Sequence, residues 1–169
     1  MRLFAVLLRG DDMEEKNFQK YPKWLKDEAH KEYVERVMKK FANHKARVVI
    51  NNERLFMIDW QGKTSVTEYE MHYILDKKRG VFTMYGDFGE AIAYFSHCVE
   101  VEDLLSYLRM CSCNYFVEKI VAGNPYVIDI GYFTECDYEI GKIVSKKVYL
   151  WVLAFFMACE DAGLRKSND

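Results

Sequence analysis

Only two prolines interrupt 169 residues and no low-complexity segment or internal repeat is present, which excludes the composition of a disordered chain. An excess of charge is missing too. Twenty-four basic residues stand against 26 acidic ones for a formal net charge of −2, so no overall field draws the chain to a nucleic-acid backbone or an anionic membrane. Any such binding must be local. No apolar run reaches the ~18 residues that a membrane span needs. The longest, residues 148–159, has twelve and predicts a core helix. The run 3–8 follows Arg2 but enters Gly10, Asp11 and Asp12 without a small-residue cleavage site, so it predicts a buried strand and not a leader. The five cysteines are odd in number and lack framework spacing, which predicts reduced thiols and a cytoplasmic setting. The chain also lacks a Gly-x-Ser-x-Gly elbow, a His-Glu-x-x-His pair and a Walker loop, the arrangements that would announce common catalytic chemistries.

What is present is apolar and aromatic. Half of the residues are hydrophobic and 15% are aromatic, with 12 Tyr and 11 Phe, enough for one aromatic-rich core over residues 1–169. A helix is predicted from Pro22, with Leu25, Ala29, Tyr33, Val37, Met38 and Phe41 on its buried stripe and Asn43 as its stop. The period then falls to two. Segments 47–50 and 54–60 flank Asn51 and Asn52 as a hairpin. Tyr69, Met71, Tyr73 and Leu75 alternate with Glu68, Glu70 and His72 as a strand with one wet face. The turn 77–80 leads to a strand over 81–85, and the turn 86–89 to another over 91–95. Helical spacing returns at Val101, Leu104, Leu105 and Leu108. It returns again at Tyr115, Phe116 and Ile120, with Asn114 as N-cap and Gly123 as stop. Residues 126–141 read as extended or irregular, and a last helix runs from about 142 to 162, inside the fold or inside a dimer interface. The predicted class is α+β: an antiparallel meander of four to five strands packed against N-terminal, middle and C-terminal helices, as monomer or homodimer.

Several constellations invite chemistry. Asp87-Phe88-Gly89 spells the metal-binding tripeptide of protein kinases, but the glycine-rich loop and the catalytic-loop Asp are missing, so it reads as a hairpin turn. Cys111 and Cys113 are too closely spaced for a structural zinc half-site, and His97, Cys98 and Cys136 supply no second half. No metal or cofactor is expected. His72 with Glu70, or Asp87 with Glu90, could serve proton transfer, yet nothing in the sequence brings either pair together. The chain therefore reads as a binder and not as an enzyme. Basic patches, Lys77, Lys78 and Arg79 at a hairpin tip and Lys142, Lys146 and Lys147 on a helix, could meet nucleic acid with Tyr69 and Tyr73 as stacking rings. Acidic clusters, Asp11, Asp12, Glu14 and Glu15 and then Glu100, Glu102 and Asp103, could instead occupy a partner's basic channel. Solvated surface explains each set as well.

One ordered series stands out over residues 59–119, about a third of the chain. Asp59-Trp60 is followed by His72-Tyr73-Ile74-Leu75-Asp76, then Tyr85-Gly86-Asp87-Phe88-Gly89-Glu90-Ala91. The run Glu102-Asp103-Leu104-Leu105 and the segment Asn114-Tyr115-Phe116-Val117-Glu118-Lys119-Ile120 complete it. The series resembles a family of small uncharacterised phage and prophage proteins of Gram-positive bacteria that carry a Gly-Asp-(Phe/Leu/Tyr)-Gly hairpin before a Tyr-Phe helix. The resemblance implies origin in a mobile element, the cytoplasm of a bacterial host, and an anti-CRISPR-like inhibitor that binds a defence nuclease stoichiometrically and blocks nucleic-acid access. A phage replication-associated nucleic-acid-binding protein is the alternative. The expected contacts are Asp11, Asp12, Glu14, Glu15, Lys77, Lys78, Arg79, Asp87 and Glu90, because loops carried on a rigid sheet present function.

Overall fold

The computed structural model describes residues 20–63, 69–97, 100–130 and 140–164. The predicted strand at 3–8 and the acidic residues Asp11, Asp12, Glu14 and Glu15 lie outside them. A 3₁₀ turn at Lys23–Lys26 precedes α1 (Glu28–Lys40). The break between the two comes from Asp27, whose extended ψ of 131° makes it the N-cap position of α1. The single helix expected from Pro22 is therefore two pieces. Ala29, one turn too early, faces solvent, while Leu25, Val34, Val37 and Phe41 are buried.

The meander follows in chain order: β1 (Lys45–Asn51), β2 (Leu55–Gln61), β3 (Met71–Asp76), β4 (Val81–Gly86) and β5 (Ala91–Tyr94). Two helices, α2 (Val101–Met110) and α3 (Cys113–Glu118), then carry the chain back to β6 (Ile120–Gly123), which pairs antiparallel with β5. The result is one six-stranded antiparallel sheet in sequential order, with more strands than the predicted four to five. The extra strand is β6, which the helical spacing of Tyr115, Phe116 and Ile120 had absorbed into a helix. Ser112, not Asn114, caps α3 by accepting from the Tyr115 amide at 3.2 Å. At α2, Glu100 and Asp103 form a reciprocal capping box. The ambiguous segment beyond Pro125 contributes a separate two-stranded sheet of β7 (Tyr126–Ile130) and β8 (Ile140–Val144).

The last helix, α4 (Lys146–Asp161), starts at Ser145, whose hydroxyl accepts from the Lys147 amide at 3.3 Å. Its apolar surface runs nearly all round because it is enclosed on both sides. Towards the sheet, Phe155 lies 5.1 Å from Tyr73 and 4.8 Å from Phe82 between ring centroids. The Tyr73 hydroxyl donates to the Trp151 carbonyl at 2.7 Å. On its other side Trp24 meets Tyr149 edge-on at 5.3 Å and Tyr21 meets Phe156 at 6.0 Å. Eleven of its residues are buried, so the helix belongs inside the fold. Among the described residues no helix is long and apolar enough to cross a membrane. Cys159 is buried in the core, and burial pushes the Cys113 thiol up against the opposing pull of a hydrogen bond with Tyr149, which keeps Cys113 from being a ready nucleophile.

Candidate interaction surface

Strand alternation sends Phe56, Ile58, Trp60, Met71, Tyr73, Leu75, Phe82 and Met84 towards α4 and leaves the intervening residues on the opposite face. That outer face stays half-exposed across its width. The register aligns Ile50, Met57, Ile74, Thr83, Ile92 and Ala122 in one row over all six strands. Ile92 is 36% exposed, and beside this row stand Tyr85 at 37% and Tyr94 at 49%. Thr83, Tyr85, Glu90 and Ile92, with Ala91, Ala122 and Gly123, line a hollow of about 310 Å³ over the β4–β6 end.

A second row is polar. Arg47, Asp59, His72 and Tyr85 are direct cross-strand neighbours on β1 to β4. The Arg47 guanidinium donates twice to Asp59 Oδ2, from Nη2 at 2.7 Å and Nε at 3.2 Å. His72 Nδ1 donates to Asp59 Oδ1 at 2.7 Å, and its ring stacks on Tyr85 at 4.8 Å. On the other side His72 Nε2 faces Glu70 Oε1 at 3.6 Å. Covered by its two donors, the Asp59 side chain is only 8% exposed. Burial opposes its charge, but the hydrogen bonds from His72 and Arg47 and their charges outweigh it, and the carboxyl sits below the ordinary aspartate value of 3.8. A carboxylate that orients an imidazole is half of a general-base pair. Among the described residues no hydroxyl or thiol hydrogen-bonds His72, and no group of three His, Cys, Asp or Glu side chains could hold a metal ion.

The depressed carboxyl has a consequence for acid stability. A group whose folded pKa is lowered stabilises above its unfolded value, and that contribution disappears as pH falls through the folded value. Unfolding in urea should therefore show stability declining below about pH 4, to which the likewise lowered Asp161, held by Lys45 and the Ala46 amide, also contributes. Asp59→Asn should cost about 1–3 kcal/mol at neutral pH and should flatten the acid decline. An acid limb unchanged by the substitution would place the effect elsewhere.

Among the described residues the sequence-predicted contacts do not converge. Lys77–Arg79 and Asp87–Glu90 sit at opposite ends of the six-residue strand β4, roughly 20 Å apart at 3.3 Å per residue. Lys77, expected at an open hairpin tip, is 6% exposed. Its ammonium is held by Glu100 Oε2 at 2.8 Å and Asn51 Oδ1 at 3.1 Å, because its side chain folds under the sheet end towards the start of α2. Arg79 is tied to Asp76 Oδ2 at 2.9 Å, and Asp76 also accepts from the Lys78 amide. Asp87 anchors its own region by accepting from the Glu70 amide at 2.7 Å. Glu90 alone of these reaches the outer-face hollow, where it joins Tyr85. Tyr73, proposed for stacking, is 1% exposed in the core, and Tyr69, expected on the buried face of β3, is 47% exposed before that strand begins.

Asp59, which opens the 59–119 series, and Arg47 are not among the residues that spacing marks as a site. The available signal was a lone carboxylate inside the strand Leu55–Gln61, twelve residues after an arginine in the preceding strand. No protein-family model, curated protein or solved structure matches the chain.

Proposed function

We propose that this protein acts by stoichiometric binding of a protein partner through the outer face of its sheet, as a phage-derived, anti-CRISPR-like inhibitor that blocks nucleic-acid access to a bacterial defence nuclease. The observation that carries the binding reading is the half-exposed row through Met57, Ile74 and Ile92 with Tyr85 and Tyr94 beside it. Tyrosines around an apolar centre are the residue types that dominate binding energy at protein interfaces. The Arg47–Asp59–His72 row adds a charged border that fixes orientation. The identity of the partner follows from the resemblance of residues 59–119 and from nothing else in the molecule.

Incubation of the purified chain with CRISPR effector complexes, followed by size exclusion and a DNA-cleavage assay, should give a complex of fixed stoichiometry and loss of cleavage. Replacing Ile92 by Glu should weaken that complex by about 30-fold or more, an effect of the size expected when an interface anchor is lost, while the circular dichroism spectrum stays unchanged. Absence of any complex at micromolar concentrations would remove the inhibitor reading. The ion pairs of Lys77 and Arg79 within the fold support the inhibitor reading over the replication-associated nucleic-acid-binding alternative, whose hairpin-tip patch they share with Lys78.

A further inference from the structure

On the opposite side of the molecule α1, the residues before β3, the β4–β5 turn and α4 enclose a cleft of about 260 Å³. Its walls are aromatic: Tyr33 from α1, Phe41 just after it, Tyr69, and Phe88 from the turn, above Val37 and Leu150. Its cations are Arg36 and Lys40, and the Lys146 ammonium lies 5.2 Å from the centroid of the Tyr33 ring. Among the described residues no carboxylate lines it. Glu32 and Glu35 line the adjoining surface of α1, which Lys39 and the outer sides of Arg36 and Lys40 share. Among the described residues neither Arg36 nor Lys40 forms an ion pair; Arg36 instead stands 5.7 Å over the Tyr33 ring.

The walls are fixed before any ligand arrives. His44 Nε2 donates to the Tyr69 carbonyl at 2.7 Å, and the neighbouring Glu70 amide donates to Asp87, so Tyr69 is held from two sides. The Phe88 carbonyl accepts from Trp151 Nε1 at 3.1 Å, which ties the turn to the core helix. Phe88 in turn packs 4.8 Å from Tyr69 and 6.2 Å, edge-on, from Phe41. The Asp87 carboxylate and the Phe88 carbonyl thus orient two rings, and preorganised walls lower the ordering cost of binding.

We propose that this cleft binds a nucleotide, its base against Tyr69 and Phe88 and its phosphate at Arg36 and Lys40. Aromatic faces accept any planar base, and cations without an ion pair among the described residues favour an anion beside it. The volume falls just below the ~300–1,000 Å³ of sites that enclose a drug-sized ligand, which suits one base with its phosphate at the mouth. The site is independent of the outer sheet face, so its test does not touch the protein-binding reading.

Adenosine 5′-monophosphate, a short 5′-phosphorylated deoxythymidine oligonucleotide and inorganic phosphate should each be titrated into the full-length protein by calorimetry. The expected result is one-to-one binding of the first or second probe that weakens with added salt. Tyr69→Ala should reduce affinity about tenfold, the size of a lost stacking ring. Arg36→Glu should reduce it at least as much. Both side chains are on the surface, and an unchanged melting temperature separates lost binding from lost folding. Tight binding of the mononucleotide assigns the site to a free nucleotide; binding of the oligonucleotide alone assigns it to a strand end. No binding of either at millimolar concentration, binding of phosphate as strong as that of the mononucleotide, or affinity indifferent to both substitutions would overturn the proposal.

Discussion

Replacing Phe155 by alanine is expected to destabilise the protein by about 3–5 kcal/mol, because a fully buried ring is removed and the space left behind cannot collapse. Its neighbours are fixed independently. Tyr73 and Phe82 belong to paired central strands and stack at 5.9 Å, while the Tyr73 hydroxyl is bonded to α4 itself. Neither ring can follow a shrinking side chain without breaking its own contacts. For a domain of this size the loss corresponds to a drop of roughly 6–20 °C in Tm, read by thermal denaturation. Met110→Ser, at a side chain 87% exposed, should stay within about 0.5 kcal/mol. A Phe155→Ala protein that melts with the parent would mean that α4 does not pack against the sheet as described.

Gly80→Ala should cost about 2–5 kcal/mol, and the comparison with Gly163→Ala isolates the reason. Both glycines have the left-handed backbone, with φ of +65° and +69°. A β-carbon at either site carries the ~1–2 kcal/mol strain of that conformation. At Gly80 it would also overlap the carbonyl group of Phe95, whose amide donates to the Gly80 carbonyl at 2.6 Å, and crowding of this kind adds about 1–3 kcal/mol. At Gly163 nothing lies within 4 Å. Urea unfolding with unchanged m-values should rank the two variants accordingly. Equal losses at both positions would show that the β3–β4 turn does not pack on the end of β5.

Much of the architecture could be read from residue spacing because the forces there are local. Alternation in Met71–Asp76 reappears as strict burial alternation in β3, and the charge-free run 148–159 is the centre of the enclosed helix α4. Legibility failed where a distant partner decided the outcome. Ile120–Gly123 continues a helical pattern, yet it becomes a strand because the edge of β5 offers unpaired backbone groups. Alternation extended back to Tyr69 misplaced that ring, since His44 and Asp87 fix the backbone before β3 starts. The interaction surface was harder still. Asp59 gains its meaning only from Arg47 and His72, and those pairings depend on register, including the shift in β1 between Val48 and Ile50. A slip by one residue would send Asp59 to the core side and dissolve the row. Lys77 escaped for a similar reason: a turn lysine is ordinarily wet, and only the placement of Glu100 at the start of α2 draws it inward.

The sheet assembles mostly from neighbours in sequence, since β1 to β5 each pair with the next, so its hairpins can form early and quickly. Its apolar inner side, however, waits for α4, supplied by the far end of these residues. During synthesis the nascent meander therefore passes through an interval in which Phe56, Tyr73 and Phe82 are exposed, and a polypeptide halted before Lys146 would remain in that sticky state, a natural client for chaperones.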